Sequence, residues 1–309
     1  MKPKIIVILG PTAVGKSELA LELCARIGGE IVNGDSQQVY RYLDIGTGKP
    51  SISDRARICH HLIDVVNPDE EFNAAMFRHL ATEIIWQIQE RNRNVVVCGG
   101  TGLYLKALTR GLFDGPGQDL EIRRRIEREI DENGLGPLYK RLIEIDSTVT
   151  STIHPNDRQR TIRALEVYEL TGKRLSEWQR EHAFQEQPFE VLQIGLKRER
   201  DELYDLINRR CDRMIGAGLL EEVRGLAARG YGLDLKPLRS IGYLQMGRVL
   251  TGVQKLPDAL EEMKQESRHL ARRQLTWFRG DREILWYHPN QRQEILKTVN
   301  SFLSLKNHN

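Results

Sequence analysis

Gly10-Pro11-Thr12-Ala13-Val14-Gly15-Lys16-Ser17 places two glycines, a lysine and a hydroxyl at the spacing of a phosphate-binding loop. Each residue type has a physical reason to be there. Glycines let backbone N–H groups converge on an anion, and a helix starting just after the loop adds partial positive charge. Lys16 supplies a mobile cation, and Ser17 offers a hydroxyl to Mg²⁺. Four fixed positions would coincide by chance in roughly one sequence in a hundred of this length. The loop marks a site for a diphosphate or triphosphate without saying which molecule carries it.

Two more residues stand where chemistry is expected. Asp35 follows the apolar stretch Glu30 to Asn33, and Thr101 follows Val95 to Cys98, so both sit at the carboxyl ends of expected strands, where open α/β sheets bind ligands. A carboxylate at that edge suits a metal ligand or a general base, or simply a turn residue capping Ser36 to Tyr40. Thr101 suits one hydrogen bond beside the ligand, or a helix N-cap. A phosphate loop in an ATPase is usually accompanied by an apolar strand ending in a metal-binding aspartate. Here Val95-Val96-Val97-Cys98 runs into Gly99-Gly100-Thr101 with no acid, which weakens the ATPase reading. His60-His61 invites a metal, but adjacent strand residues point to opposite faces, so the pair is assigned no metal site. Cys24, Cys59, Cys98 and Cys211 form no C-x-x-C pair, and the expectation is buried, reduced thiols.

Arginines cluster in three places: Arg123 to Arg125, Arg158 to Arg163, and the segment from Arg268 to Arg279, which holds four arginines and no acid. With Arg268 set at 0° on a helical wheel, Arg272 and Arg279 fall at about 40° and 20°, while Met263, Leu270, Trp277 and Phe278 fall between about 180° and 280°. The expectation is a basic stripe opposite an apolar face. Solvated faces usually mix charge signs, so the pattern favours a nucleic-acid backbone as partner.

The elements that must position these residues alternate strand, turn and helix. Lys4 to Leu9 reads as a strand buried on both faces, with Leu19, Leu23 and Ile27 marking a following helix. Glu30 to Asn33 and Val95 to Cys98 read as further strands, with a helix over about 74–90 between them. Phe189 to Leu196 resumes the pattern, and Ile284 to Tyr287 is a candidate last strand. Residues 114–188 are charged, helical in pattern and poor in strand-like runs. The predicted fold is α/β: a P-loop NTPase-like parallel sheet core over 1–113 and 189–309, interrupted by a helical insertion. The 309 residues, 40% apolar and 29% charged with net charge +3, describe an ordinary globular chain. No apolar run is long enough to span a membrane and the N-terminus does not read as a signal peptide, so a cytoplasmic protein without a membrane partner is expected, as a monomer.

The ordered combination of the phosphate loop with Asn33-Gly34-Asp35-Ser36-Gln37-Gln38-Val39-Tyr40, Asp44 to Pro50, Gly99 to Tyr104, His154-Pro155-Asn156-Asp157 and Arg273 to Arg279 resembles the bacterial tRNA dimethylallyltransferase (tRNA isopentenyltransferase) family. The likeness runs from about residue 5 to 287. Ser17 stands where many members carry threonine, and Gly48 where alanine is common. The resemblance implies transfer of a dimethylallyl group from dimethylallyl diphosphate to the exocyclic amine of the adenosine 3′ of the anticodon in tRNA, with Mg²⁺. It makes Asp35 the general base or acceptor for the attacking amine, with Thr101 and Lys16 also catalytic. Gly10, Pro11, Thr12, Ala13, Val14, Gly15, Lys16, Ser17 and Arg210 would hold the diphosphate, with Ser17 on the metal. Asp35, Ser36, Gln37, Gln38, Thr101, Arg123, Gln159, Arg160, Thr161, Ile162 and Arg163 would touch the tRNA, so the insertion would grip the anticodon stem-loop. The alternatives are a small-molecule or nucleoside kinase using ATP in the same loop, and a non-catalytic RNA-binding protein with a vestigial loop.

Overall fold

Six strands line up in one all-parallel sheet in the computed structural model, which describes residues 2–112, 115–182 and 187–305. The expected boundary at 113/114 falls outside the described residues. The chain forms two compact units, one made of Met1–Thr109 with Gln187–Asn309, the other of Arg110–Glu186.

The first half of the sheet unit runs β1 (Lys4–Leu9), α1 (Lys16–Ile27), β2 (Gly29–Asn33), α2 (Ile52–Arg57), β3 (His60–His61), α3 (Ala74–Glu90), β4 (Asn94–Gly99) and α4 (Gly102–Arg110). The sheet order is β3-β2-β4-β1, continued by β5 (Glu190–Leu196) and β6 (Leu285–Tyr287) after the helical unit. The β-branched run of β1 is central, paired to β4 on one side and β5 on the other, and Ile5 to Ile8 have no exposed surface. Burial on both faces explains why the run is apolar throughout instead of alternating. The chain leaves β1 toward β2 on one side of the sheet and leaves β4 toward β5 on the other, so the adjacent carboxyl ends of β1 and β4 flank a crevice of the kind in which α/β sheets bind ligands.

Asn73 and Ser51 cap α3 and α2 through their side chains, whereas Gly15, at the start of α1, contributes no side-chain cap. The first amides of α1 are thus left for something other than the chain's own side chains. Gly99 is required by close approach. A Cβ there would lie 2.1 Å from the Gly34 carbonyl oxygen, and this contact lets the ends of β2 and β4 meet.

After β5 come α10 (Arg200–Gly216), α11 (Leu219–Ala228), a 3₁₀ turn at Lys236–Arg239, α12 (Tyr243–Leu250) and α13 (Leu256–Arg279), then β6 and α14 (Arg292–Ser304). The stripe expected on α13 needs correction. Trp277, placed on the apolar face, is 42% exposed, while Arg268 is half-buried and donates to Asn208 of α10 at 2.7 Å. The 24-residue helix packs along α10, and that contact decides which face is covered.

The helical unit holds α5 (Leu120–Asn133), α6 (Leu135–Ile145), α7 (Ser147–Thr150), α8 (Arg158–Thr171) and α9 (Leu175–His182), folded around Ile126, Leu138, Leu142, Ile162 and Leu165. Thr161 and Ile162 are fully buried in this unit, which corrects the expectation that their side chains meet RNA. Arg163 is likewise committed internally. Its guanidinium donates to the carbonyls of Pro116 and Gly117 at 2.6 and 3.1 Å and pairs with the buried Glu166 at 2.9 Å. Glu166, lacking any exposed surface, also accepts the Asp119 amide. An unpaired carboxylate in that position would be costly, so Arg163 is structural.

Candidate active site

The loop between β1 and α1 takes left-handed backbone at Gly10, Ala13 and Gly15, with φ of 143°, 63° and 108°. That path wraps the chain around Lys16, whose ammonium donates to the Gly10 and Pro11 carbonyls at 3.1 and 2.7 Å. Burial pulls the Lys16 pKa down to about 8, opposed by the charge of Asp35 among others. Ser17 follows in the first turn of α1 and lines the same cavity, of about 500 Å³, at the carboxyl end of the sheet.

Arg210 of α10 reaches this cavity from a part of the chain remote in sequence. Its guanidinium donates to the Thr12 hydroxyl at 3.0 Å and to the Thr47 carbonyl at 3.2 Å. Burial lowers its pKa, again opposed by Asp35. Two cations, Lys16 and Arg210, therefore face one cavity with Asp35 as a nearby acid. Such a pocket is set for an anion carrying more than one charge.

Asp35 and Thr101 meet through the segment after β2. The Asp35 carboxylate accepts the Gln37 amide at 2.8 Å, the turn contact weighed from sequence, and it also lines the cavity. The Asn33 side chain pins this turn by donating to the Leu62 carbonyl at 2.9 Å and accepting the Asp35 amide at 3.1 Å. Thr101 Oγ1 accepts the Ser36 amide at 2.9 Å, so its hydroxyl braces the Asp35 turn instead of capping α4. Gln38 donates to the carbonyls of Thr47 and Gly48 at 3.3 Å each. Gln37 Oε1 is buried against the cavity with no partner, an acceptor left for a ligand. Cys98 also faces the cavity, and burial raises its thiol to about 11, so it is not a thiolate nucleophile at neutral pH.

In the helical unit, Gln159 and Arg160 are exposed at the start of α8, whose N-cap is Asp157. Arg123 of α5 donates to Gln159 at 3.5 Å and lies 3.8 Å from Glu127.

Three contributors were not singled out from sequence. Gln274 of α13 accepts the Thr12 amide and donates to the Gly100 carbonyl. Glu222 of α11 accepts the amides of Asp44, Ile45 and Gly46 at 3.1, 2.8 and 3.3 Å and the Tyr243 hydroxyl at 2.6 Å, fixing the loop that carries Thr47 and Gly48 to the cavity. Lys49, its side chain 1% exposed, bridges Asp44 and Asp64. Gln274 and Lys49 lie inside motifs that resemblance had flagged, whereas Glu222 carries no local signal.

The profile of the IPP transferase family matches residues 38–281. A tRNA dimethylallyltransferase of Syntrophus aciditrophicus is 46% identical over 302 residues, covering 98% of this chain and 97% of its own. That of Geobacter metallireducens is 48% identical over 302 residues, covering 97% and 98%. The chain belongs to the IPP transferase family. Among solved structures, the tRNA isopentenylpyrophosphate transferase of Bacillus halodurans superposes with a TM-score of 0.73 at 38% identity, covering 98% of this chain and 97% of that one. A eukaryotic dimethylallyltransferase acting on tRNA superposes with a TM-score of 0.82 at 29% identity, covering 98% and 80%.

Proposed function

We propose that this IPP transferase moves a dimethylallyl group from dimethylallyl diphosphate to the exocyclic amine of the adenosine 3′ of the anticodon in tRNA. The convergence of Lys16, Ser17 and Arg210 on one cavity with Asp35 is the observation that carries this reading. The amine nitrogen attacks the first carbon of the prenyl group, and the bond from that carbon to the diphosphate oxygen breaks. Diphosphate departs with the bonding electron pair, and the amine's proton passes to Asp35. Lys16, Arg210 and the loop amides stabilise the growing charge on the leaving group. An adenine amine is a poor nucleophile because its lone pair is delocalised into the ring, so a fixed acceptor and fixed alignment both count. Thr101 holds the Asp35 turn in place, and Gln37 Oε1 offers the entering base an acceptor.

Mg²⁺ fits the donors present, because the Ser17 hydroxyl shares a cavity with a carboxylate and would share it with diphosphate oxygens, an all-oxygen set. When bound, the ion neutralises leaving-group charge. The target base must leave its stack to reach the cavity, which costs least in a single-stranded loop. Exposed Arg124, Arg128 and Arg160 on the helical unit supply phosphate contacts for the stem. Among the described residues no helix is long and apolar enough to cross a membrane. The enzyme works as a cytoplasmic monomer in this reading.

The experiment is incubation with labelled dimethylallyl diphosphate, unmodified tRNA and Mg²⁺, repeated with labelled ATP. Label entering tRNA from the prenyl donor alone supports the transferase; label moving only from ATP sinks it.

A further inference from the structure

The register between β2 and the edge strand β3 gathers three metal-binding side chains away from the catalytic cavity. Ile31 pairs with His60 and Val32 with His61, and the Ile31 amide donates to the Cys59 carbonyl at 2.9 Å. Side chains alternate across a strand, so Cys59 and His61 share one face, and Glu30 of β2 lies on that face opposite Cys59. His60 points the other way and lines the catalytic cavity. Histidine adjacency argued against a metal on His60-His61, but the spacing that matters here is Cys59-x-His61, completed by a neighbouring strand.

The three groups already touch. His61 Nε2 lies 2.7 Å from Glu30 Oε2 and 3.4 Å from Cys59 Sγ. All three ligand atoms lie within 4.8 Å of one another. Glu30 is buried, His61 half-buried and Cys59 exposed, so the cluster opens to solvent on the thiol side, and the expectation of a buried Cys59 is corrected. Arg91 donates to the same Glu30 oxygen at 2.8 Å, which orients the carboxylate from outside the cluster.

We propose that Glu30, Cys59 and His61 form a site for a borderline-soft divalent cation of the Zn²⁺ type. Thiolate, imidazole and carboxylate are the zinc donor set, and metal–ligand bonds of about 2.0–2.3 Å bring the three atoms around one ion after shifts of about an ångström. Binding releases the thiol proton to solvent, His61 binds as a neutral imidazole through Nε2 with its one proton on Nδ1, and a water takes the fourth position. Mg²⁺ and Ca²⁺ are excluded because hard ions prefer oxygen donors. The Arg91 charge opposes the incoming cation, so the affinity is modest. The ion clips a two-residue edge strand to β2, and the chain just beyond it carries the Leu62 carbonyl that pins Asn33 and the Asp64 that holds Lys49.

The test titrates the metal-free full-length protein with Co²⁺ as spectroscopic probe, then with Zn²⁺ in competition. One equivalent of Co²⁺ should give a thiolate-to-metal charge-transfer band with tetrahedral visible bands, and Zn²⁺ should abolish both. Cys59→Ser should remove the charge-transfer band, and His61→Gln should weaken binding at least about tenfold, a factor that even outer-shell partners control. Both variants should keep tRNA prenylation, which confirms folding because neither residue lines the catalytic cavity. Absence of a band in the wild type, or an unchanged band in Cys59→Ser, overturns the proposal.

Discussion

Gln274 Oε1 accepts the Thr12 amide at 2.8 Å while its Nε2 donates to the Gly100 carbonyl at 2.9 Å, so one side chain from α13 ties the phosphate loop to the turn after β4. The phosphate loop and the turn that carries Thr101 are held in mutual register by this link. Gln274→Ala should lower kcat/KM for the prenyl donor by on the order of 10²-fold, the scale of a misplacement of about an ångström. Steady-state kinetics with donor and tRNA varied separately check this, and an unchanged value would assign the register to other contacts.

The base role proposed for Asp35 and its contact to the Gln37 amide can be separated by one pair of variants. Asp35→Asn keeps an acceptor for the Gln37 amide and loses the base, so turnover should fall by about 10²–10⁴-fold while tRNA affinity stays near wild type. Asp35→Ala also loses the turn contact and should impair tRNA binding in addition. Equal tRNA affinities for the two variants would detach the turn from RNA recognition.

Lys16 gives a pH dependence of known sign. Its pKa in the folded, ligand-free protein is about 8, so the ammonium is present below that value and lost as pH rises through it. Diphosphate affinity should therefore fall above about pH 8, and Lys16→Met should bind weakly with that pH dependence removed. In the unfolded chain the same group stays charged to about 10.4, so burial penalises the folded state fully below about pH 8, and the penalty is relieved as pH rises from there. Lys16→Met should consequently be more stable at pH 7, by roughly 1–3 kcal/mol. Thermal melts with and without diphosphate read both effects.

Glu222 holds three amides and the Tyr243 hydroxyl, so its removal strands several donors beside a buried ring. Glu222→Ala should cost about 2–4 kcal/mol of stability in denaturant melts, because hydrogen bonds to a charged acceptor are among the strongest. Diphosphate binding should weaken with it, since the loop carrying the Thr47 carbonyl would lose its anchor.

Arginines of the helical unit divide by role. Arg160→Gln should reduce the salt slope of tRNA binding by about 0.7–0.9, one phosphate contact, with stability unchanged. Arg163→Gln should instead lower stability, because it leaves Glu166 buried without its cation. A changed melt for Arg160→Gln with an unchanged slope would reverse this assignment.

Much of the architecture was legible because the β1 and β4 strands are buried on both faces and so written as uninterrupted apolar runs. The phosphate loop, Asp35 and Thr101 were legible because chemistry at a sheet's carboxyl edge follows directly after a strand. Arg210 was reached through resemblance alone, since nothing local in Ile207-Asn208-Arg209-Arg210 separates it from a surface cation. The two-residue β3 gave no periodicity to read, and its register with β2 is what creates the Cys59, His61 and Glu30 cluster. Helical wheels failed at Trp277 and Arg268 because the wheel gives a face and the packing partner decides its burial.

The central strand β1 has a consequence for biosynthesis. One of its two hydrogen-bonding partners, β4, lies before the helical unit, and the other, β5, lies after it, beginning at Glu190. On the ribosome, β1 therefore waits for more than half of the chain with one edge unpaired, and that edge is among the most apolar segments of the protein. The helical unit is continuous in sequence and has its own hydrophobic core, so it can fold while the sheet is still incomplete. Nascent chains halted before β5 should therefore aggregate or recruit chaperones, and those halted after it should not.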